Sequence, residues 1–305
     1  MQKFFDGIYT ALITPFKRSP KNNDLYEIDY SSLETLIHRQ IDAKVSGIII
    51  AGSTGEASSL STDEYKDLIR TSLEIARSKT KVIAGISTNI PYKALELASI
   101  AESNGVDGLM VITPYYNKPN QTGLFKYFEY VHNNTNTPIM LYTVPSRTGV
   151  DFSDDTILVL SSFSRILGLK DSGNDLLRPL RLMSQMPSNF ALLSGEDSSF
   201  LAYYAHGGRG CVSVASNIIP KVSVRIYEYL TRGDFLAALN TQSELLKFYD
   251  SLFATTNPIP VKFAAHLLGL CDNLTRPPLY EIEDDRVKKQ ITEALEYVRK
   301  KNYCC

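Results

Sequence analysis

With 305 residues the chain has room for two average domains, or for one eight-stranded α/β barrel carrying an appendage. Its 44% hydrophobic and 21% charged residues fit an ordinary globular protein, and a formal net charge of −1 gives nucleic acid or an acidic membrane no electrostatic hold. No apolar run approaches the roughly 20 residues that span a bilayer, and the first residues lack the apolar stretch of a signal peptide, so a cytoplasmic protein is expected.

Eight short apolar runs follow one another along the chain: residues 8–14, 47–51, 82–85, 108–112, 138–142, 166–170, 190–194 and 211–214. The intervals between them hold a helix and two loops each. Residues 30–43 and 64–78 carry apolar positions three and four apart, and Thr62-Asp63-Glu64 supplies a capping signal for the second. Near-continuous apolar strands alternating with amphipathic helices imply a parallel sheet covered on its outer face. Eight such units favour closure, so the expected fold is an α/β (β/α)8 TIM barrel.

After residue 214 the alternation stops. Helices are expected at 219–231, 234–253, 260–268 and 285–301, the first completing the barrel. Asn257-Pro258-Ile259-Pro260 suits a helix start, because proline fits the first turn and not the interior. The expected division is a catalytic barrel over 1–232 and a C-terminal helical extension over 233–305.

In a barrel of this kind the active site gathers at the carboxyl ends of the strands. The second run is followed by Gly52-Ser53-Thr54-Gly55-Glu56 and the fourth by Thr113-Pro114-Tyr115-Tyr116-Asn117. The fifth ends in Tyr142, with Val144-Pro145-Ser146-Arg147-Thr148-Gly149 beyond it. The sixth ends in Lys170, and the seventh runs into Ser194-Gly195-Glu196-Asp197. A lysine closing a core strand is unusual unless it is paired or put to use. Burial disfavours a charged ammonium, which makes such an amine a candidate nucleophile. Each residue has a plainer reading: Tyr142 as a core-edge aromatic, Gly52-Ser53-Thr54-Gly55 as turn chemistry, Arg147 as an exposed cation. Glu56 is assigned to structure near the next helix start. What argues for a site is the coincidence of hydroxyls, phenols, one arginine and one lysine on a single rim, a set suited to carbonyl chemistry on an anionic substrate.

The cysteines show no paired ligand spacing, and the four histidines are scattered, so no metal is expected. Cys304-Cys305 lacks the prenylation pattern and reads as a frayed, incidental tail.

These motifs resemble those of the dihydrodipicolinate synthase / N-acetylneuraminate lyase family of class I aldolases. The likeness runs from Ala11-Leu12-Ile13-Thr14-Pro15-Phe16 to Asn257-Pro258-Ile259-Pro260-Val261-Lys262 and includes Lys170-Asp171-Ser172-Gly173. It implies a (β/α)8 barrel with a helical C-terminal extension. It also implies a lyase that condenses pyruvate with L-aspartate 4-semialdehyde through a Schiff base on Lys170, in diaminopimelate and lysine biosynthesis. Organic cofactor and catalytic metal are both unnecessary in that scheme.

By the same resemblance Tyr142 moves protons, relayed through Thr54 and Tyr116, while Tyr115 reaches toward a neighbouring subunit. Arg147 binds the carboxylate of the second substrate, and Gly195 and Val212 line the pyruvate pocket. A homotetramer built as a dimer of dimers is implied. Ser53 stands where synthases carry threonine and keeps the hydroxyl, hence a hydrogen-bonding role; Thr143 stands where they carry asparagine. Tyr65 and Lys93 occupy the positions at which lysine-sensitive relatives hold a histidine and a glutamate, implying weak inhibition by lysine. The alternatives are a lyase of sialic acid or another 2-keto-3-deoxy sugar acid, sharing the same imine, and a non-catalytic barrel that binds an oxo acid.

Overall fold

The computed structural model describes residues 3–19 and 26–304. Eight parallel strands close into a barrel: β1 (Gly7–Ala11), β4 (Gly47–Ile50), β5 (Lys81–Ile86), β6 (Gly108–Ile112), β7 (Ile139–Thr143), β8 (Ile166–Asp171), β9 (Ala191–Ser194) and β10 (Gly210–Ser213). Each pairs with its neighbour in sequence, and β1 closes the ring between β10 and β4. All eight expected runs lie on these strands. The first is shorter than expected, because Leu12, Ile13 and Thr14 leave the sheet while staying buried. There the Ile13 amide donates to Asn217 Oδ1 at 3.1 Å and Thr14 Oγ1 donates to the Gly55 carbonyl at 2.7 Å. Polar partners replace the ladder at that point.

A short antiparallel hairpin, β2 (Phe16–Arg18) with β3 (Tyr26–Ile28), was not expected from the sequence. Its three-residue strands carry charges and only one apolar anchor each, too little for a periodic signal.

The shell is helical: α1 (Tyr30–Asp42), α2 (Thr62–Ala76), α3 (Pro91–Asn104), α4 (Gln121–Asn133), the single turn α5 (Pro145–Thr148), α6 (Asp154–Ser161), α7 (Arg178–Leu182), α8 (Phe200–Ala205) and α9 (Pro220–Thr231). Local chemistry sets their ends. Ser61, one residue earlier than expected, caps α2: its hydroxyl accepts from the Glu64 amide, and the Glu64 carboxylate accepts from the Ser61 amide. Pro91 opens α3, and Gly105, at φ +85°, ends it in a left-handed conformation open to glycine without strain.

Two apolar layers result. One fills the space between strands and helices. The other fills the barrel itself, where Phe5, Tyr9, Ile49, Ile83, Met110, Met140, Leu193 and Val212 stack below Tyr142. Phe5 is fully buried and closes the amino-terminal end of the barrel.

Beyond α9 lie α10 (Phe235–Ser251), α11 (Ile259–Leu267) and α12 (Asp285–Lys300). α10 packs on α9 and α12, and α11 on α12. Leu245, Phe248, Val261 and Ala264 join the same apolar cluster as Ile226 of α9, so the extension shares the core of the barrel's shell. The tail is not frayed at Cys304: that residue is buried, and its carbonyl accepts from Arg39 Nη2 at 2.9 Å. Cys305 lies outside the described residues. Among the described residues no helix is long and apolar enough to cross a membrane.

Candidate active site

Parallel register brings Tyr142 on β7 directly beside Lys170 on β8. Both point into the mouth of the barrel, and Lys170 Nζ lies 4.1 Å from the centroid of the Tyr142 ring. They are 4% and 6% exposed, so the amine is held at the base of a cavity and out of bulk solvent. That cavity measures about 420 Å³, enough for a small keto acid and a second small substrate.

Its walls come from the loops predicted to supply them. Ser53 and Thr54 reach it from the loop after β4, Arg147 from α5, Ser172 from the end of β8, and Gly195 and Glu196 from the loop after β9. Gly195 is required by space: a Cβ there would stand 1.9 Å from Ser172 Oγ. Its amide donates to the Asp171 carbonyl at 2.7 Å, which presses the two loops together.

The extension completes the ring. Asn257, just before α11, donates through Nδ2 to Thr54 Oγ1 at 2.9 Å, and its carbonyl accepts from Arg147 Nη2 at 2.8 Å. Asn257 Oδ1 is buried without a hydrogen-bond partner, an acceptor available to a donor in the cavity. Thr255 and Thr256 stand beside it. Sequence reasoning read this stretch only as a helix start; the signal available was a polar Thr-Thr-Asn cluster immediately before two prolines.

Electrostatics single out Glu196. Burial raises its carboxyl above the ordinary range, while the positive charges of Lys170 and Arg147 oppose the shift. Asp197 behind it is buried and accepts from the amides of Val214 and Ala215 at 2.9 Å each, fixing the wall after β10.

Val212 is fully buried in the barrel interior, in the same cluster as Tyr142 and Leu193, and Val214, two residues on, lines the cavity wall. Of the two tyrosines after β6, the one expected to reach toward a neighbouring subunit lies toward its own chain. Tyr115 turns inward, lining a neighbouring cavity with Ser53, Arg147 and Asn257, and its carbonyl accepts from Asn89 Nδ2 at 3.2 Å. Tyr116 sits at φ +72° and is 89% exposed, turned away from its own chain's cavity.

A lysine and a tyrosine side by side at the closed base of a (β/α)8 barrel, with hydroxyls and an arginine above them, define a Schiff-base aldolase type of site. The chain belongs to the dihydrodipicolinate synthetase family, whose model matches residues 4–297. It is similar to 4-hydroxy-tetrahydrodipicolinate synthase of Rickettsia bellii, with 49% identity over 295 residues, 97% of this chain and 98% of that one. The solved 4-hydroxy-tetrahydrodipicolinate synthase of Methylacidiphilum fumariolicum SolV superposes with a TM-score of 0.92 at 35% identity, covering 97% of both chains. The synthase of Cyanidioschyzon merolae, solved with lysine bound, gives a TM-score of 0.93 at 33% identity, covering 98% of this chain and 99% of that one.

Proposed function

We propose that this chain is a lyase that condenses pyruvate with L-aspartate 4-semialdehyde to 4-hydroxy-tetrahydrodipicolinate, the reaction named for its relatives, in diaminopimelate and lysine biosynthesis. The observation that carries the reading is Lys170 beside Tyr142 at the base of the cavity.

The unprotonated Lys170 amine attacks the ketone carbon of pyruvate, and the ketone oxygen leaves as water, giving an imine. Loss of a methyl proton turns the imine into an enamine, with the positive nitrogen as electron sink. The enamine carbon then bonds to the aldehyde carbon of the second substrate, whose oxygen takes up a proton. Finally the amine of that substrate attacks the imine carbon and expels Lys170, restoring the enzyme. Tyr142 is placed to give and recover these protons, with the Ser53 and Thr54 hydroxyls next in line. Arg147 at the exposed rim suits the carboxylate of the second substrate, and the free Asn257 Oδ1 suits its ammonium.

A relay through Tyr116 requires a second copy, since that phenol faces away from its own cavity. Leu176, Leu177, Leu180 and Met183 form another exposed apolar group around α7, which supports a second kind of contact and hence a homotetramer assembled as a dimer of dimers. The free, buried thiols of Cys211 and Cys271 fit a reducing compartment, in support of a cytoplasmic location.

The deciding experiment incubates the protein with pyruvate and borohydride. A stable adduct on Lys170, absent from Lys170→Ala, is the expected result; an adduct that persists in the variant removes Lys170 as nucleophile. Product formation with aspartate semialdehyde, compared with cleavage of sugar acids, then separates the synthase from the sugar-acid lyase, which the named relatives do not favour.

A further inference from the structure

One step beyond the Tyr142–Lys170 pair, β7 and β8 meet again at Thr143 and Asp171. Strand alternation turns these two side chains to the outer face of the barrel. There Thr143 Oγ1 donates to Asp151 Oδ1 at 2.8 Å, and Arg178 Nη2 donates to Asp151 Oδ2 at 2.7 Å. The same guanidinium, through Nη1, donates to both oxygens of Asp171 at 3.2 and 3.1 Å. Tyr203 Oη adds a donor to Asp171 Oδ2 at 3.2 Å. Arg178 and Asp171 are 4% and 3% exposed, so solvent does little to weaken the bridge. None of these side chains lines the cavity.

The ladder below explains why such a bridge matters. Between β7 and β8 the register shifts at its start: Ile139 pairs with Ile166, but Met140 pairs with Gly168. Pairing at the base of the two strands therefore does not dictate pairing at their tips. A slip of one residue would reverse every side chain, turning Lys170 out of the barrel and Asp171 into it.

We propose that Asp171 and Thr143, joined through Arg178 and Asp151, are positioning residues that lock the tips of β7 and β8 in register and so hold the Lys170 amine against the Tyr142 phenol. Thr143, which departs from the asparagine of the family, thereby acquires a physical role: its hydroxyl is the β7 end of the bridge. The inference rests on the Schiff-base reading above.

The test measures the rate of borohydride-trappable adduct formation on Lys170 at saturating pyruvate, alongside KM and thermal stability. Thr143→Val removes only the hydroxyl. It should slow capture about tenfold with little change in KM, a fraction of the roughly 10²-fold that a 1 Å misplacement costs. Thr143→Ser should restore the rate, and Asp171→Asn should slow capture more than Thr143→Val. Capture at the wild-type rate in Thr143→Val, with at most a lower melting temperature, overturns the proposal. Should Asp171→Asn fail to fold, the valine and serine variants decide. Absence of any adduct in the wild type would sink the Schiff-base reading and this inference with it; an intact wild-type adduct with unchanged variants sinks this inference alone.

Discussion

Lys262 of α11 and Glu56 of the barrel rim form an ion pair sealed from solvent, with side chains 0% and 2% exposed. Lys262 also donates to the Leu274 carbonyl at 2.7 Å, and Glu56 Oε2 accepts the Arg276 amide at 2.9 Å. The Phe16 ring centroid lies 4.1 Å from the Lys262 ammonium and 4.4 Å from the Arg276 guanidinium. Glu56 closes the loop that carries Ser53 and Thr54, so the pair fastens the extension to the part of the rim that builds the site.

Lys262→Met should therefore destabilise the protein by about 3–5 kcal/mol, because Glu56 would be left as an uncompensated buried charge. Combining it with Glu56→Gln should recover much of the loss. Guanidinium unfolding of the two single variants and the double variant checks this; equal losses in all three would contradict it.

A second ion pair on the same edge gives an acid dependence. The hydrogen bond from Arg276 holds the Glu64 carboxyl below its ordinary value of 4.5, against a smaller opposing effect of burial. A depressed folded pKa means that its contribution is complete above the unfolded value and lost as pH falls through the folded one. The stability difference between wild type and Glu64→Gln should thus be constant above about pH 5 and shrink below pH 4.5. Thermal melts across pH 3 to 7 read it, and a difference that grows on acidification would reverse the sign.

Arg147→Ala should raise the requirement for aspartate semialdehyde roughly 10- to 100-fold, the worth of about 1.5–3 kcal/mol for a hydrogen bond to a charged group. Asn257→Ala should act in the same direction and also loosen Thr54. Pyruvate capture should survive in Arg147→Ala; its collapse would remove the carboxylate-binding role.

If Tyr116 serves the cavity of a second copy, two defective chains can repair each other. Tyr116→Phe and Lys170→Ala are each expected to be inactive or nearly so, since general acid–base groups contribute about 10²–10⁴-fold. Mixed and reassociated, they should regain part of the wild-type rate, because one hybrid cavity holds both native groups. No recovery, with mixed oligomers verified by mass, would place Tyr116 outside the relay.

Free lysine should inhibit weakly. Tyr65 is buried with its hydroxyl donating to the Gly85 carbonyl at 3.3 Å, so it is committed to the fold, and Lys93 presents a like charge to a cationic effector. Initial rates at rising lysine concentration test this; inhibition at micromolar levels would refute it.

The strands and the Lys170–Tyr142 pair were legible because both depend on short-range pattern: apolar runs of strand length, two of them ending in Tyr142 and Lys170. The contacts that finish the site were not. Asn257 reaches Thr54 across 203 positions and Lys262 reaches Glu56 across 206, and no local periodicity encodes such a meeting. The outward turn of Tyr116 rests on its positive φ, which a tyrosine does not advertise. Cys304 looked incidental because its anchor, Arg39, belongs to the first helix of the shell.

Phe5 and the stacked side chains above it fill the barrel beneath the cavity and leave it a blind vessel at that end. The lysine lies at its floor and the arginine at its lip. An early arrival of the longer substrate would cork the passage. On the proposed reaction, this layout favours ordered traffic, with pyruvate ahead of its partner and the ring-closed product out by the same route.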